Sequence, residues 1–516
     1  MKIAIIHYHL NRGGVTQVVA NHLRALDQQD ISEPRLGVAL IHGGRCDGWS
    51  NTQVHSPKQV DVSMHAVEEL DYDNVRPETD SLKMQLRSKL QKIGFEPHET
   101  VLHIHNHALG KNSELVEAIE HLASERFALL LHLHDFAEDF RPNNYRALTA
   151  SCDADRSDSK SGLLYPQASQ IHYAVLNQRD YSVLLDAGIE SARLHLLPNA
   201  VAEIGPLPAR RQARAKLSQR FGIPVEHRFV LYPVRGIRRK NLGEALLWSA
   251  LAEKNTSFGL TLSPLNPVEQ PSYDRWVKVA EQLKLSWAFR VGGPTGLGFT
   301  ENLSASDLIL STSVAEGFGL GFLESWLAGR PIVGRDLPGI TADFVAAGLR
   351  FPGLKPTLRI PVEWLDDDEF RRQFTTAYST VLAAYGQPAP SRDSLREAVD
   401  SHIHDGFVDF GHCGSSLQQS VIERVVKNPS DRQRVLDANS WIKQALRDID
   451  SSLIDRNAEI VRTQYSLESC GGRLLDIYRQ TVSSDRETEL QPLRNRERIL
   501  NRFLDPSRFH PIRVES

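Results

Sequence analysis

MKIAIIHYHLNRGGVTQVVANHLRAL, residues 1–26, opens the chain with a short apolar run, a glycine-containing loop and an amphipathic stretch. Residues 1–7 have the length and composition of a buried strand. After the loop, which contains Gly13 and Gly14, apolar side chains recur at three- and four-residue steps, as on one face of a helix. Strand, glycine loop and helix in this order form the first unit of a doubly wound parallel sheet.

Further short apolar runs continue this pattern in two series, joined by a linker near LHLLPNAV, residues 194–201. The first series predicts strands at 1–7, 36–41, 101–104, 128–133 and 172–176, and the second at 229–234, 258–262, 287–291, 307–311 and 331–334. Helical patterns lie between several of the runs, which favours parallel sheets with right-handed crossovers. We therefore expect an α/β chain of two Rossmann-like domains that face each other across a ligand cleft.

The expected domains are 1–198 and 199–464, followed by C-terminal helices at 465–516. Two segments do not fit a minimal pair of domains. Residues 46–100 are polar and mixed, and we expect a long loop or an insertion over the cleft. Residues 360–460 are mostly charged with helical patterns, which predicts a helical insertion in the second domain.

Composition and charge argue against several classes of protein. The 516 residues carry a formal net charge of -4, and no basic stripe indicates nucleic acid as a partner. The arginine-rich stretch 494–502 is expected to be a solvated helix face. The four cysteines have no metal-ligand or redox spacing, which indicates reduced thiols. Without a signal-peptide pattern or an apolar run of about 18 residues, we expect a cytoplasmic protein, with peripheral membrane contact and oligomeric state open.

The string AEGFGLGFLESWLAGRP, residues 315–331, carries the strongest functional signal. Glu316 follows a predicted strand, Glu324 stands eight positions later, and three glycines lie between them. Glycines let a backbone approach a ligand closely, and the start of the helix predicted at 322–327 offers N–H groups to an anion. Two carboxylates suit a polyhydroxylated ligand, because each oxygen accepts hydrogen bonds from hydroxyls. The alternative is a capped helix with a surface glutamate.

A second signal is LYPVRGIRRKNLGEAL, residues 231–246. Arg235 ends a predicted strand, and Lys240 stands just before a helix that is expected to begin near Asn241. Two cations at the carboxyl end of a strand can neutralise a departing diphosphate. The alternative is a basic loop that stays solvated, because four of the six residues at 235–240 are basic.

Histidines follow two predicted strands of the first domain. His134 comes directly after one strand, where a histidine can donate to a sugar hydroxyl or stabilise charge. In the HIHNH stretch, His103, His105 and His107 alternate on an extended chain and are expected to share one face. Buried or hydrogen-bonded histidines are commoner than metal ligands, and no His-Glu-x-x-His motif occurs, so no metal site is predicted.

Taken together, these residues resemble glycosyltransferase family 4, which consists of retaining enzymes with the GT-B fold. The resemblance is specific at Glu316-x7-Glu324, at Arg235 with Lys240–Asn241, at the glycine loop of residues 13–14, and at LLPNAV. VRTQYSLESCGGRLLDIYRQ, residues 461–480, is similar to the family's last helices, which cross back to the N-terminal domain. The chain departs from the family at 330–344, which lacks the glutamate that many members carry there.

The resemblance implies a role for each matching residue. Arg235 and Lys240 would bind the donor diphosphate, Glu316 the hydroxyls of the transferred sugar, and Glu324 the ribose. His134 would lie near the reacting sugar, with His132 as a neighbouring candidate. Further donor contacts are expected from Gly13 and Gly14 of the first domain and from the backbone of Gly317, Phe318, Gly319 and Leu320.

The implied activity is retaining transfer of a hexose from a nucleoside-diphosphate sugar, with UDP-glucose and GDP-mannose as leading donors. The acceptor would be a sugar, a sugar acid, a lipid-linked sugar or a polysaccharide, and neither a metal nor another cofactor would be needed. A sugar phosphorylase or a nucleotide-sugar epimerase on the same fold stays possible, as does a non-catalytic sugar-nucleotide sensor. A Rossmann dehydrogenase is disfavoured, because no Gly-x-Gly-x-x-Gly follows the first strand.

Overall fold

Each of the two units of the chain is built on a parallel sheet. The computed structural model describes residues 1–31, 35–49, 58–73, 81–153, 163–447 and 450–514. The first unit comprises Met1–Ala202 and Thr463–Leu504, and the second comprises Glu203–Arg462 and Asp505–Ser516. The segment after residue 464 is therefore shared between the units, whereas the sequence predicts that all of it returns to the first domain.

The sheet of the first unit has seven strands in the order β3-β2-β1-β4-β5-β6-β7, and neighbouring strands are parallel. Its strands are β1 (Lys2–His7), β2 (Leu36–His42), β3 (Val60–Ala66), β4 (Thr100–His105), β5 (Ala128–Leu133), β6 (Ile171–Val175) and β7 (Leu194–Leu196). Both faces of this sheet are covered: Ala4 and Ile6 of β1 belong to one apolar core, and Ile3 and Ile5 to another. Burial on both faces explains why β1 reads as a continuous apolar run.

The second unit repeats the same strand order in a six-stranded parallel sheet, β10-β9-β8-β11-β12-β13. Its strands are β8 (Arg228–Arg235), β9 (Thr256–Leu262), β10 (Trp287–Phe289), β11 (Leu308–Ser311), β12 (Ile332–Arg335) and β13 (Leu354–Lys355). A small antiparallel sheet follows, made of β14 (Arg359–Pro361), β15 (Ile403–His404) and β16 (Phe407–Asp409). The two parallel sheets confirm the predicted fold class.

Helices connect these strands and cover the sheets. The helices of the first half are α1 (Gly14–Asp27), α2 (Leu82–Lys92), α3 (Leu115–Ser124), α4 (Pro142–Asp153), α5 (Gln178–Ala187), α6 (Arg210–Phe221), α7 (Leu242–Leu251), α8 (Gln270–Gln282) and α9 (Phe299–Ala305). Those that follow are α10 (Gly321–Leu327), α11 (Pro338–Ala346), α12 (Asp367–Ala384), α13 (Arg392–Asp400), α14 (Ser415–Lys427), α15 (Pro429–Ala438), α16 (Trp441–Ala445), α17 (Ser451–Gln464), α18 (Leu467–Ser483) and α19 (Glu497–Phe503). Within the described ranges, no helix combines the length and hydropathy that crossing a bilayer demands.

Two expectations for the less regular segments need correction. Residues 46–100 do not form only a loop or insertion: they supply the edge strand β3 and helix α2, although 50–57 and 74–80 lie outside the described residues. The insertion predicted as helical contains the small antiparallel sheet, and its residues 448–449 are not among those described. The prediction of a solvated helix face for the arginine-rich C-terminal stretch is confirmed: Arg498 and Arg502 of α19 are exposed, while Ile499 and Leu500 pack inward.

Candidate functional site

Two loops of the second unit meet at the carboxyl ends of β8 and β11, which are neighbouring parallel strands. The Tyr232 hydroxyl lies 2.9 Å from the carbonyl oxygen of Lys240 and 2.9 Å from Oγ of Ser313. Thr312 Oγ1 donates to the same Lys240 carbonyl at 2.9 Å, and the N–H of Val314 donates to the carbonyl of Arg239. These bonds hold the basic loop after β8 against the loop that leads to Glu316.

The carboxylate of Glu316 is bound by two cations of this basic loop. Lys240 Nζ donates to its Oε1, and Arg239 Nη1 donates to its Oε2 at 2.7 Å. Burial alone would raise the pKa of Glu316, but the charges of Lys240 and Arg239 outweigh burial and lower that pKa to about 2. Burial also lowers the pKa of Lys240, and the Glu316 carboxylate opposes this effect. The structure thus brings two of the predicted site residues into direct contact and adds Arg239, which sequence reasoning did not single out.

Arg235 and Glu324 have no oppositely charged partner in the described part of the protein. Arg235 ends β8, and its nearest hydrogen-bond partner is the carbonyl of Ser263 at 3.4 Å. No carboxylate within the described residues pairs with Arg235. Glu324 lies in the first turn of α10, and burial raises its pKa. No group within the described residues hydrogen-bonds to its carboxylate, so both side chains keep their capacity to bind a ligand.

Gly319, in the glycine loop before α10, stands where the backbone requires glycine. Gly319 has a φ of +86°, and a Cβ there would lie 2.7 Å from the ring of Phe322. The expectation of free N–H groups at the helix start is wrong for two of them. The N–H of Phe322 donates to the carbonyl of Gly319 at 3.0 Å, and that of Leu323 to the carbonyl of Leu320 at 2.9 Å. The predicted donor contacts of Gly317, Phe318, Gly319 and Leu320 stay predictions.

Arg335, at the end of β12, is a buried residue of the site region that sequence reasoning missed. Its guanidinium binds Glu244 of α7 at 3.0 Å and Asp409 of β16 at 2.8 Å. Glu244 in turn accepts a hydrogen bond from Asn241 Nδ2 at 2.9 Å. Asn241 follows Lys240 directly and has a φ of 48°, so this network fixes the backbone on which Lys240 stands. The available signal was an arginine at the end of an otherwise apolar strand, which needs buried anions as partners.

The glycine-loop residues predicted for the first unit lie at the start of α1. Gly13 is the extended residue before the helix, and Gly14 is its first residue. A Cβ at Gly14 would meet no atom within 4 Å, so packing does not require glycine there. The absence of a side chain leaves the helix start accessible, as the predicted contact with a diphosphate needs.

His134 is buried just beyond β5. Its backbone N–H donates to Asn106 Oδ1 at 2.7 Å, and its Nε2 lies 2.8 Å from Nδ1 of His105. Burial lowers the pKa of His134 well below its usual value, so its ring is neutral at pH 7. The prediction that the HIHNH histidines share one face is wrong for His107, which lies in a 3-10 turn after β4 with Nε2 3.1 Å from the Leu164 carbonyl.

The chain is similar in sequence to two curated proteins. No model of a known protein family matches the chain. Over 337 residues the chain is 30% identical to mannosylglucosyl-3-phosphoglycerate synthase of Petrotoga mobilis, which is 62% of each protein. Over 251 residues, 45% of this chain and 58% of the relative, it is 25% identical to trehalose synthase of Rubrobacter xylanophilus. The chain therefore matches about three-fifths of the length of these curated relatives.

Solved structures share the fold over nearly the whole chain. Sucrose-phosphate synthase from Thermosynechococcus elongatus superposes with a TM-score of 0.53 at 14% identity, covering 93% of this chain and 98% of that one. Anabaena HepE in complex with UDP superposes with a TM-score of 0.51 at 14% identity, covering 92% and 99%. At such identity the likeness shows the fold alone, and that fold is GT-B.

Proposed function

We propose that the chain is a retaining glycosyltransferase of family 4 that moves a hexose from a nucleoside-diphosphate sugar to a hydroxyl acceptor. One observation carries the proposal. At the carboxyl ends of β8 and β11, Lys240 and Arg239 bind Glu316. Arg235 and Glu324, in the same region, have no charged partner among the described residues. Cations that can receive a diphosphate and carboxylates that can receive hydroxyls are what such a donor requires.

The ion pair of Lys240 with Glu316 is compatible with donor binding. An ammonium has three N–H donors, and the contact with Glu316 uses one of them, so the others can reach phosphate oxygens. Glu316 keeps lone pairs for sugar hydroxyls and is ionised at neutral pH. Arg235 offers a planar fork for the phosphates, and Glu324 offers a carboxylate for the ribose. These roles follow the family's Glu-x7-Glu motif.

The reaction we propose breaks the bond between sugar C1 and the β-phosphate oxygen and forms a bond from C1 to the acceptor oxygen on the same face. The acceptor proton passes to the departing diphosphate, so the products are the glycoside and the nucleoside diphosphate. Arg235 and Lys240 stabilise the charge that develops on the diphosphate. No carboxylate nucleophile and no metal ion takes part in these steps. His134 would contact the reacting sugar, and Gly13 and Gly14 would approach the diphosphate.

The Petrotoga relative narrows the substrates to be tested first. Its name describes a synthase of mannosylglucosyl-3-phosphoglycerate. We therefore propose GDP-mannose ahead of UDP-glucose as donor, and a phosphorylated glucosyl sugar acid as acceptor. The free thiols of Cys46, Cys413 and Cys470 agree with the predicted cytoplasmic location, which stays a proposal.

A thermal-shift screen of GDP, UDP, GDP-mannose and UDP-glucose tests donor recognition. A ligand at one hundred times its Kd stabilises the folded state by about 2.7 kcal/mol, so the correct base raises the melting temperature. Failure of all four to shift it would contradict the proposal. Product analysis by NMR then identifies the anomer, and an inverted linkage would exclude a retaining enzyme.

The same assays separate the alternatives. A phosphorylase consumes phosphate and releases no nucleotide, an epimerase returns a changed nucleotide sugar without an acceptor, and a sensor binds donor without turnover.

Initial rates with added Mg²⁺ or EDTA test the expected metal independence of the transfer step, and a strict requirement for Mg²⁺ would contradict it.

A further inference from the structure

Four histidines converge in the core of the first unit. His103 and His105 lie on β4, His132 lies opposite His105 on the neighbouring strand β5, and His22 comes from α1. All four side chains are completely buried. One ring nitrogen of each lies within 4.8 Å of those of the other three. Helix packing thus gathers imidazoles from three separate stretches of sequence around one point.

Several of these ring nitrogens have no hydrogen-bond partner among the described residues. Among the described residues, neither nitrogen of His22 has a hydrogen-bond partner, and the same holds for Nε2 of His105 and Nε2 of His132. A buried polar atom without a partner costs about 1–3 kcal/mol. Three such imidazoles in one cluster add up to a large cost, which a bound ligand would remove.

The opposite nitrogens of two of these rings are held as metal-binding histidines require. His105 Nδ1 lies 2.8 Å from His134 Nε2, and His132 Nδ1 lies 3.1 Å from His103 Nε2. His103 Nδ1 lies 2.7 Å from the hydroxyl of Tyr478. If Nδ1 of His105 and of His132 carry the protons, both bonds are satisfied and each Nε2 presents a free lone pair. Hydrogen bonding at the far nitrogen is the usual way in which a ligating histidine is oriented.

We propose that His22, His105 and His132 hold one transition-metal ion, Zn²⁺ in the first instance, and that His103 orients His132 through the contact between their ring nitrogens. Imidazole nitrogens suit Zn²⁺, Cu²⁺ and Ni²⁺, whereas Mg²⁺ and Ca²⁺ prefer oxygen ligands. The three ligands are neutral, the form that binds a metal, because burial lowers the pKa of His22 to about 3 and those of His105 and His132 well below normal. Complete burial makes the ion structural, tying α1 to β4 and β5.

This site adjoins His134, which the proposed function places near the reacting sugar, whereas the proposed cations and carboxylates of the transfer reaction lie in the second unit. The HIHNH stretch on its own does not predict a metal, because two of the three ligands lie elsewhere in the sequence. The structure supplies them by placing α1 over the carboxyl half of β4 and β5.

Metal analysis of the full-length protein tests the proposal. The protein is purified without chelator, any polyhistidine tag is removed, and metals are measured by plasma mass spectrometry. We expect about one zinc per chain in the wild type and a loss of most of it in His22→Gln and His132→Gln. His172→Gln is the matched control: His172 is a buried histidine of β6 in the same sheet, but its nitrogens bind His195 and Ser484. It should keep its metal.

A second measurement does not depend on the folding of the variants. Wild-type protein stripped with a strong chelator is reloaded with Zn²⁺ or Co²⁺. We expect a higher melting temperature on reloading and, with Co²⁺, the visible absorption bands of a low-symmetry nitrogen site. Wild-type protein that carries no transition metal and gains neither stability nor colour on reloading would overturn the proposal. So would variants at His22 and His132 that keep one metal per chain.

Discussion

At the residue scale, the ion pair of Glu316 with Lys240 is the contact on which the proposed function most depends. Lys240→Met removes a cation that faces the departing diphosphate, and Glu316→Gln weakens the hydrogen bonds to the sugar hydroxyls. We expect each change to lower kcat by about 10²–10³, the loss seen when one preorganised charge-stabilising group is removed. Steady-state transfer assays measure the effect, with circular dichroism as the check on folding.

Arg238→Met is the matched control for that experiment. Arg238 belongs to the same basic loop, but it binds Glu269, with Nε 3.3 Å from the carboxylate. If the loop is only a solvated basic surface, Arg238→Met and Lys240→Met will change kcat equally. Full activity of Lys240→Met would remove Lys240 from the site.

Glu324 gives a second prediction at this scale, concerning nucleotide affinity. A carboxylate that binds ribose hydroxyls contributes about 1.5–3 kcal/mol, so Glu324→Gln should weaken nucleoside diphosphate binding about tenfold or more. Burial raises the pKa of Glu324, so binding to the wild type should weaken as pH falls through that raised value. Calorimetric titration at several pH values measures both effects. An unchanged Kd in Glu324→Gln at pH 7.5 would exclude the ribose contact.

At the element scale, the Arg335 network ties the end of β12 to α7 and to the small antiparallel sheet. Arg335→Met leaves the carboxylates of Glu244 and Asp409 buried without their cation. Breaking a buried ion pair from one side costs about 3–5 kcal/mol, so we expect a loss of that size in the free energy of unfolding. Denaturant titration measures it.

The exposed pair of Arg359 with Asp405 provides the comparison for this prediction. Arg359→Met should change stability by no more than about 1 kcal/mol, because solvent screens exposed ion pairs. Equal effects of Arg335→Met and Arg359→Met would show that the buried network does not support the loop that carries Lys240.

At the scale of the whole molecule, buried neutral histidines should make the protein sensitive to acid. Burial and the neighbouring His195 lower the pKa of His172 to about 3, and burial lowers that of His195 to about 4. In the second unit, burial and His412 lower the pKa of His402 to about 3, with Asp409 acting in the opposite direction. As the pH falls below 6.5, the unfolded chain binds protons at these positions, whereas the folded chain binds them only near pH 3 to 4.

The stabilisation that comes from these neutral histidines is therefore fully present above pH 6.5, and it is lost as the pH falls toward 4. Each such histidine adds a slope of up to about 1.4 kcal/mol per pH unit. Urea unfolding at pH 7.5, 6.0 and 5.0 should show a steadily falling midpoint, with a smaller decrease in His172→Gln. A midpoint that stays constant across this range would contradict the prediction.

The sequence by itself determined the fold class and the position of the loops that bear charge. Continuous apolar strands such as β1 and β8 are recognisable because burial on both faces of a parallel sheet demands apolar side chains at every position. Arg235, Lys240, Glu316 and Glu324 could be singled out because they stand between the end of a strand and the first turn of the helix that follows it. The edge strand β3 was not predicted from the sequence, because its alternating polar residues resemble a loop when no partner strand is known.

Only the tertiary structure decided which charges pair and which stay available. The contact of Arg239 with Glu316, and that of Arg335 with Glu244 and Asp409, join residues more than seventy positions apart. The histidine cluster likewise unites α1, β4 and β5. No local pattern encodes such contacts, because electrostatic and hydrogen-bond energies depend on distance in space, and that distance is set by how helices pack on sheets.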